Sequence, residues 1–119
     1  MNQSKLPESE RKVMDFIWSK EETTAKETAI YMEKTYGWKK NTTYTVLKNL
    51  NEKEIIERRE PGFRCIPLVK REDVGLQEAH SLLDRFYNGS VAGLFSAFLS
   101  DNVITENELK ELKDLLDRE

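Results

Sequence analysis

Lys39-Lys40-Asn41-Thr42-Thr43-Tyr44-Thr45-Val46-Leu47-Lys48-Asn49-Leu50, followed by Glu54-Ile55-Ile56-Glu57-Arg58-Arg59-Glu60-Pro61-Gly62-Phe63-Arg64, reads as a short helix and then a basic hairpin. At about 100° per residue, Thr43, Val46, Leu47 and Leu50 share one face, and Asn41, Tyr44, Thr45 and Lys48 fall on the other or on its shoulder. The first face packs. The second is polar and partly cationic, which suits insertion into a DNA major groove: Asn and Thr can read base edges while flanking Lys and Arg neutralise phosphates.

The charge distribution agrees once it is resolved by region. The whole 119-residue chain carries a net charge of -3, unusual for a nucleic-acid binder. Between Lys34 and Lys70, however, nine Lys/Arg face four Glu, whereas from Arg71 onward five basic residues face eleven acidic ones. The basic charge lies where the helix and hairpin lie, and the acidic half is unsuited to phosphate.

Working outward, a first helix starts near Pro7, with Glu8 and Glu10 placed favourably against its dipole and Val13, Met14, Phe16, Ile17 and Trp18 as its apolar face. A second opens at the Thr24-x-x-Glu27 capping box, is expected to bury Ala25, Ala29, Met32 and Tyr36, and stops at Gly37. The third runs from about Asn41 to Lys53. Ile55-Ile56 then starts a strand that turns at Pro61-Gly62, and Phe63 to Leu68 returns, with Pro67 ending the pairing. Three short helices and a two-stranded hairpin make a winged helix-turn-helix: a mainly α fold with a small β-hairpin, spanning residues 1–70.

Residues 71–119 read as a helical dimerisation segment. Leu82, Leu83, Phe86 and Tyr87 form one apolar cluster; Val91, Leu94, Phe95, Phe98 and Leu99 form a second; a helix opening at the Thr105/Glu108 capping box presents Leu109, Leu112, Leu115 and Leu116. Three such helices cannot easily bury this surface alone, so a homodimer is expected. Its two-fold symmetry implies a palindromic operator, with the two reading helices about one turn of duplex apart or a small multiple of it.

Other classes fare worse. With one His, one Cys and no glycine-rich phosphate loop, nucleophile-and-base pairs cannot be assembled, so the chain is not expected to be an enzyme. Only His80 and Cys65 offer nitrogen or sulfur ligands, so neither a metal nor another cofactor is expected. Cys65 cannot form an intramolecular disulfide, and no leader or long apolar span is present; a cytoplasmic location without membrane insertion is the expectation. His80 reads as a surface or packing residue, and Cys65 as a small filler in a wing strand. Tyr44, at the shoulder of the apolar face, is equally readable as a base contact or a half-buried core residue. The competing function is a winged helix used as a protein-interaction module without specific DNA binding.

The chain resembles the penicillinase and methicillin-resistance repressors from about Leu6 onward. The resemblance rests on the order and spacing of Val13-Met14-Asp15-Phe16-Ile17-Trp18, Asn41 to Leu50, Glu52-Lys53-Glu54-Ile55-Ile56 and Phe86-Tyr87-Asn88-Gly89-Ser90. It implies a winged-helix repressor, of the kind tied to antibiotic resistance, that dimerises through its C-terminal helices, blocks transcription, often of its own operon, and is relieved by proteolysis when a membrane sensor with a zinc-protease domain is triggered. By the same resemblance, Asn41, Thr42, Tyr44 and Thr45 contact bases, and Lys39, Lys40, Lys48, Arg58, Arg59 and Arg64 contact phosphates. Leu82, Leu83, Phe86, Tyr87, Leu94, Phe95, Phe98, Leu112 and Leu116 would form the dimer interface, and cleavage would fall at Ala97-Phe98. The chain departs from the family in three places. Ala97 stands where the family usually has Asn, Arg11 where it often has an apolar residue or Trp, and the wing strands look shorter by about two residues. A copper-sensing branch with paired Cys-x-Cys motifs is not matched, because no cysteine follows Cys65.

Overall fold

The computed structural model describes residues 6–118. In chain order the elements are α1 (Glu8–Ser19), β1 (Thr23–Thr24), α2 (Ala25–Tyr36), α3 (Lys40–Glu52), β2 (Ile56–Arg59), β3 (Arg64–Pro67), α4 (Arg71–Phe86), α5 (Val91–Ser100) and α6 (Glu106–Arg118). Two compact units result, one through Glu78 and one from Ala79, so the division falls inside α4 rather than before it.

The helix boundaries follow local chemistry. At α2 the capping box forms in both directions, Glu27 N–H donating to Thr24 Oγ1 and Thr24 N–H to Glu27 Oε1, each at 3.1 Å. Gly37, at φ 73°, ends the helix by donating to Glu33 O. At α1, Pro7 is the N-cap itself and not a first-turn residue. The second unit repeats the device: Thr105 and Glu108 form a capping box on α6, and Ser90 Oγ accepts Gly93 N–H at 2.8 Å at the start of α5.

Within the first unit, Val13, Met14 and Ile17 of α1, Met32 of α2, and Leu47 and Leu50 of α3 meet Ile55, Ile56 and Cys65 in one fully enclosed core. Tyr36 is not part of it. Its side chain is exposed, lies near Trp38 and carries Lys12 Nζ 4.4 Å from its ring centroid. A buried acid ties the core to the surface: Glu10 accepts both its hydrogen bonds from Lys53 Nζ, at 2.9 Å each. Lys53 therefore belongs to a strut between α1 and the end of α3, rather than to the basic surface that charge counting gave it.

The sheet has three strands rather than the expected two. β3 lies in the centre, antiparallel to β2 through pairs such as Arg58↔Cys65 and to β1 through Thr23↔Cys65 and Thr24↔Arg64. The pairing edge starts at Ile56, one residue later than expected, because Ile55 N–H is taken by Leu50 O at the end of α3. The third strand fastens the start of α2 to the wing, and Ala25 N–H adds a bond to Phe63 O at 2.9 Å.

Candidate nucleic-acid interface

α3 presents the polar row as its periodicity predicts. Thr43, Val46, Leu47 and Leu50 are buried, and Asn41, Thr42, Thr45, Lys48 and Asn49 are exposed. The N-terminus of this helix differs chemically from those of α2 and α6. Lys39 is the N-cap, no side chain caps it, and no acidic residue sits in its first turn. Its open N–H groups and positive dipole end thus stand beside Lys39 and Lys40, an arrangement that favours an anion. Among the described residues, Lys39, Lys40 and Lys48 make no ion pair. Lys40 Nζ lies 5.8 Å from the Tyr44 ring centroid.

Tyr44 takes the half-buried place between the two readings. It packs on the core edge and meets the Phe63 ring edge-on, with centroids 6.0 Å apart.

The wing is less basic in effect than in sequence. Arg58 Nε donates to the Glu60 carboxylate in a short hydrogen bond, and Arg59 Nε donates to Glu57 at 2.8 Å. Arg64 donates from Nη1 to Glu22 at 3.0 Å and from Nη2 to Glu60 O at 3.3 Å, while its buried Nε has no hydrogen-bond partner among the described residues. Hydrogen bonding from Arg59 holds the Glu57 carboxyl below the usual carboxylate range. Arg58, and then Phe63 N–H, do the same for Glu60. Such exposed pairs contribute little to stability, so the Arg59 pair with Glu57 costs little to exchange for phosphate. The Arg64 fork is already engaged as a brace between the wing and the loop before β1.

Charge counting includes Glu57 and Glu60 without showing that they pair with the wing arginines, and leaves out Glu22, because a count has no geometry. Sequence reasoning also missed Asn51, whose Oδ1 accepts Arg58 N–H at 3.2 Å and fixes the wing to the end of α3. Cys65 is buried, and burial pushes its thiol up to about 11.

In the second unit, no residue of α5 or α6 is buried. Of the residues expected at a dimer interface, Leu82, Phe86, Phe95 and Leu116 are exposed and Leu83, Tyr87, Leu94, Phe98 and Leu112 half-buried. Phe95, Phe98, Val103, Ile104, Leu112 and Leu115 line an open apolar hollow of about 360 Å³. Ala97 and Phe98 lie within α5, both half-buried. His80 is exposed on α4. Among the described residues no cluster of His, Cys, Asp and Glu could hold a metal ion, and no helix is long and apolar enough to cross a membrane.

The family model described as Penicillinase repressor matches residues 6–118. The penicillinase repressor of Bacillus licheniformis is 28% identical over 114 residues, covering 94% of this chain and 89% of that protein. The one from Staphylococcus aureus is 28% identical over 116 residues, covering 96% and 92%. The methicillin resistance regulatory protein MecI of Staphylococcus aureus (strain N315) is 23% identical over 115 residues, covering 95% and 94%. Among solved structures, the solution structure of the DNA binding domain of the repressor BlaI superposes with a TM-score of 0.56 at 24% identity, over 60% of this chain and 90% of that one. That likeness fixes the winged-helix fold.

Proposed function

This chain belongs to the penicillinase repressor family, and we propose that it acts as a homodimeric, DNA-binding transcriptional repressor that reads a palindromic operator in double-stranded DNA. The observation that carries the reading is the outer face of α3: Asn41, Thr42 and Thr45 exposed in a row, on an uncapped helix end free of acid, flanked by Lys39, Lys40 and Lys48, which make no ion pair among the described residues. In a major groove the amide and hydroxyls meet base edges while the lysines and the helix end meet phosphate. Arg58 and Arg59 extend the cationic contact from the wing.

Dimerisation is supported by the second unit, whose apolar side chains find no enclosed core within one chain. Pairing through this unit duplicates the reading helix, which is the physical reason for a palindromic site. Relief by proteolysis at Ala97-Phe98, through a membrane-sensor protease pathway, is the family's mode of induction carried over to this chain. The bond lies inside a helix, so cleavage there requires α5 to open locally before a protease can bind it as an extended strand. A cytoplasmic location, absence of cofactors and absence of enzymatic activity complete the proposal.

Selection of bound duplexes from a random-sequence pool by the full chain tests it. The expected result is enrichment of one inverted repeat, with half-sites separated by about one helical turn or a small multiple. Recovery of no common sequence would overturn the repressor reading in favour of a protein-interaction module.

A further inference from the structure

Phe63, at the tip of the wing, adopts φ 49°, the left-handed region that bulky side chains rarely occupy. Gly62 before it is itself left-handed, at φ 87°, so the turn takes two consecutive residues into that region and the aromatic occupies the second. Its backbone is pinned on both sides: N–H to Glu60 Oε1 at 3.2 Å, and C=O accepting Ala25 N–H at 2.9 Å. Its ring is equally engaged. Arg58 Cζ sits 3.9 Å from the Phe63 centroid, and Tyr44 of α3 meets the ring edge-on at 6.0 Å.

The result is a continuous stack from wing to reading helix, Arg58 on Phe63, Phe63 against Tyr44, and Lys40 near Tyr44. Arg58 is held at three points: its backbone by Asn51, its Nε by Glu60, and its guanidinium carbon over the Phe63 ring. Among the described residues its two Nη nitrogens make no hydrogen bond, so the donating edge left over is the one a phosphate or base edge can use. Arg59, with one ion pair and no stack, lacks this restraint, and the Arg64 fork is engaged internally.

We propose that Phe63 is a positioning residue that holds Arg58 in fixed register with the reading face of α3, so that wing and helix engage one DNA site as a single rigid surface. The inference rests on the DNA-reading function above. Its physical basis is preorganisation: a long arginine already ordered in the free protein loses less freedom on binding than a mobile one. Strain at a functional position, retained because the surroundings determine it, is the backbone signature of such a role.

A double-mutant cycle on the full chain tests it, read by fluorescence anisotropy on the duplex enriched from the random pool. Phe63→Ala and Arg58→Ala are each expected to weaken binding about 5- to 20-fold, the scale of one lost charged contact. The double variant should bind no worse than Arg58→Ala alone. Phe63→Tyr, which keeps the ring face, should restore near-parental affinity, and Phe63→Leu, which keeps only apolar bulk, should not. Side-chain resonances of Arg58 in the DNA-free protein should show a ring-current shift that disappears in Phe63→Leu, a readout independent of DNA. Losses that multiply in the double variant, full rescue by Leu, or Arg58 resonances unmoved by Phe63→Leu would overturn the positioning role while leaving the repressor reading intact. Failure of the parental chain to distinguish the enriched from a scrambled duplex would instead overturn the repressor reading, and the positioning role with it.

Discussion

In the unit through Glu78, Val13, Met14, Met32, Leu47 and Leu50 are sealed from solvent, and the polar row of α3 stands on that core. In the unit from Ala79, capping and apolar periodicity recur, yet no residue of α5 or α6 is more than half-buried, and Leu116 is 74% exposed. Both regions obey the same local rules of capping and periodicity. They differ in whether one copy of the chain supplies a second face to pack against. A polar face on a closed core is a surface for a polar partner; an apolar face without a core is a surface for another apolar face.

The largest effect separating the regions is expected in the closed core. Leu47→Ala should destabilise the first unit by about 2–5 kcal/mol, read by urea unfolding followed through Trp18 and Trp38. A loss below about 0.5 kcal/mol, typical of a surface site, would break the distinction. Leu116→Asp is the matching change in the open region. It should leave the first unit's unfolding unchanged and raise the dimer dissociation constant about tenfold or more, measured by sedimentation. Self-association unaffected by the charge would remove Leu116 from the interface.

Within the reading surface, two changes should differ in kind. Arg59→Ala is expected to weaken binding to all duplexes and to flatten the salt dependence by about one ion, whereas Thr45→Ala should lower mainly the ratio of enriched to scrambled binding, by about fivefold. Equal losses on both duplexes for Thr45→Ala would exclude it as a base contact.

The smallest effect at neutral pH concerns Cys65. Its thiol titrates at about 11 when folded against 9.0 as the reference value. The unfolded chain therefore releases the proton first, and stability should fall as pH rises from 9.0 toward about 11 and level off above it. Cys65→Ala should abolish that segment of the pH profile. A profile indifferent to the substitution would show that Cys65 is not the titrating group.

Much of this organisation is legible in the residues. Thr24 with Glu27 and Thr105 with Glu108 announce helix starts through a reciprocal bond that depends on local spacing alone, and Val46, Leu47 and Leu50 announce a face by period. What is not legible is whatever joins distant residues. β1 has two residues, too few for alternation to register, and exists only because β3 offers it an edge. Lys53 counts as free basic surface until the buried Glu10, far away in sequence, is seen to pair with it. Tyr36 fits the helical period of α2 yet lies beyond the end of its buried stripe, and it remains exposed. In the candidate site the residues of α3 can be read from periodicity, while the carboxylates that restrain the wing arginines and the ring that carries Arg58 depend on the hairpin's turn.

The central claim is that the polar face of α3 reads DNA and is delivered in pairs by the C-terminal helices. Anisotropy of the full chain on the enriched duplex and on its scrambled counterpart, across a salt series and titrated to stoichiometry, tests it most directly. The expected result is selective binding at two chains per duplex, with a log–log salt slope near -0.9 per phosphate neutralised. Equal, shallow-sloped binding to both duplexes, or saturation at one chain per site, would contradict it.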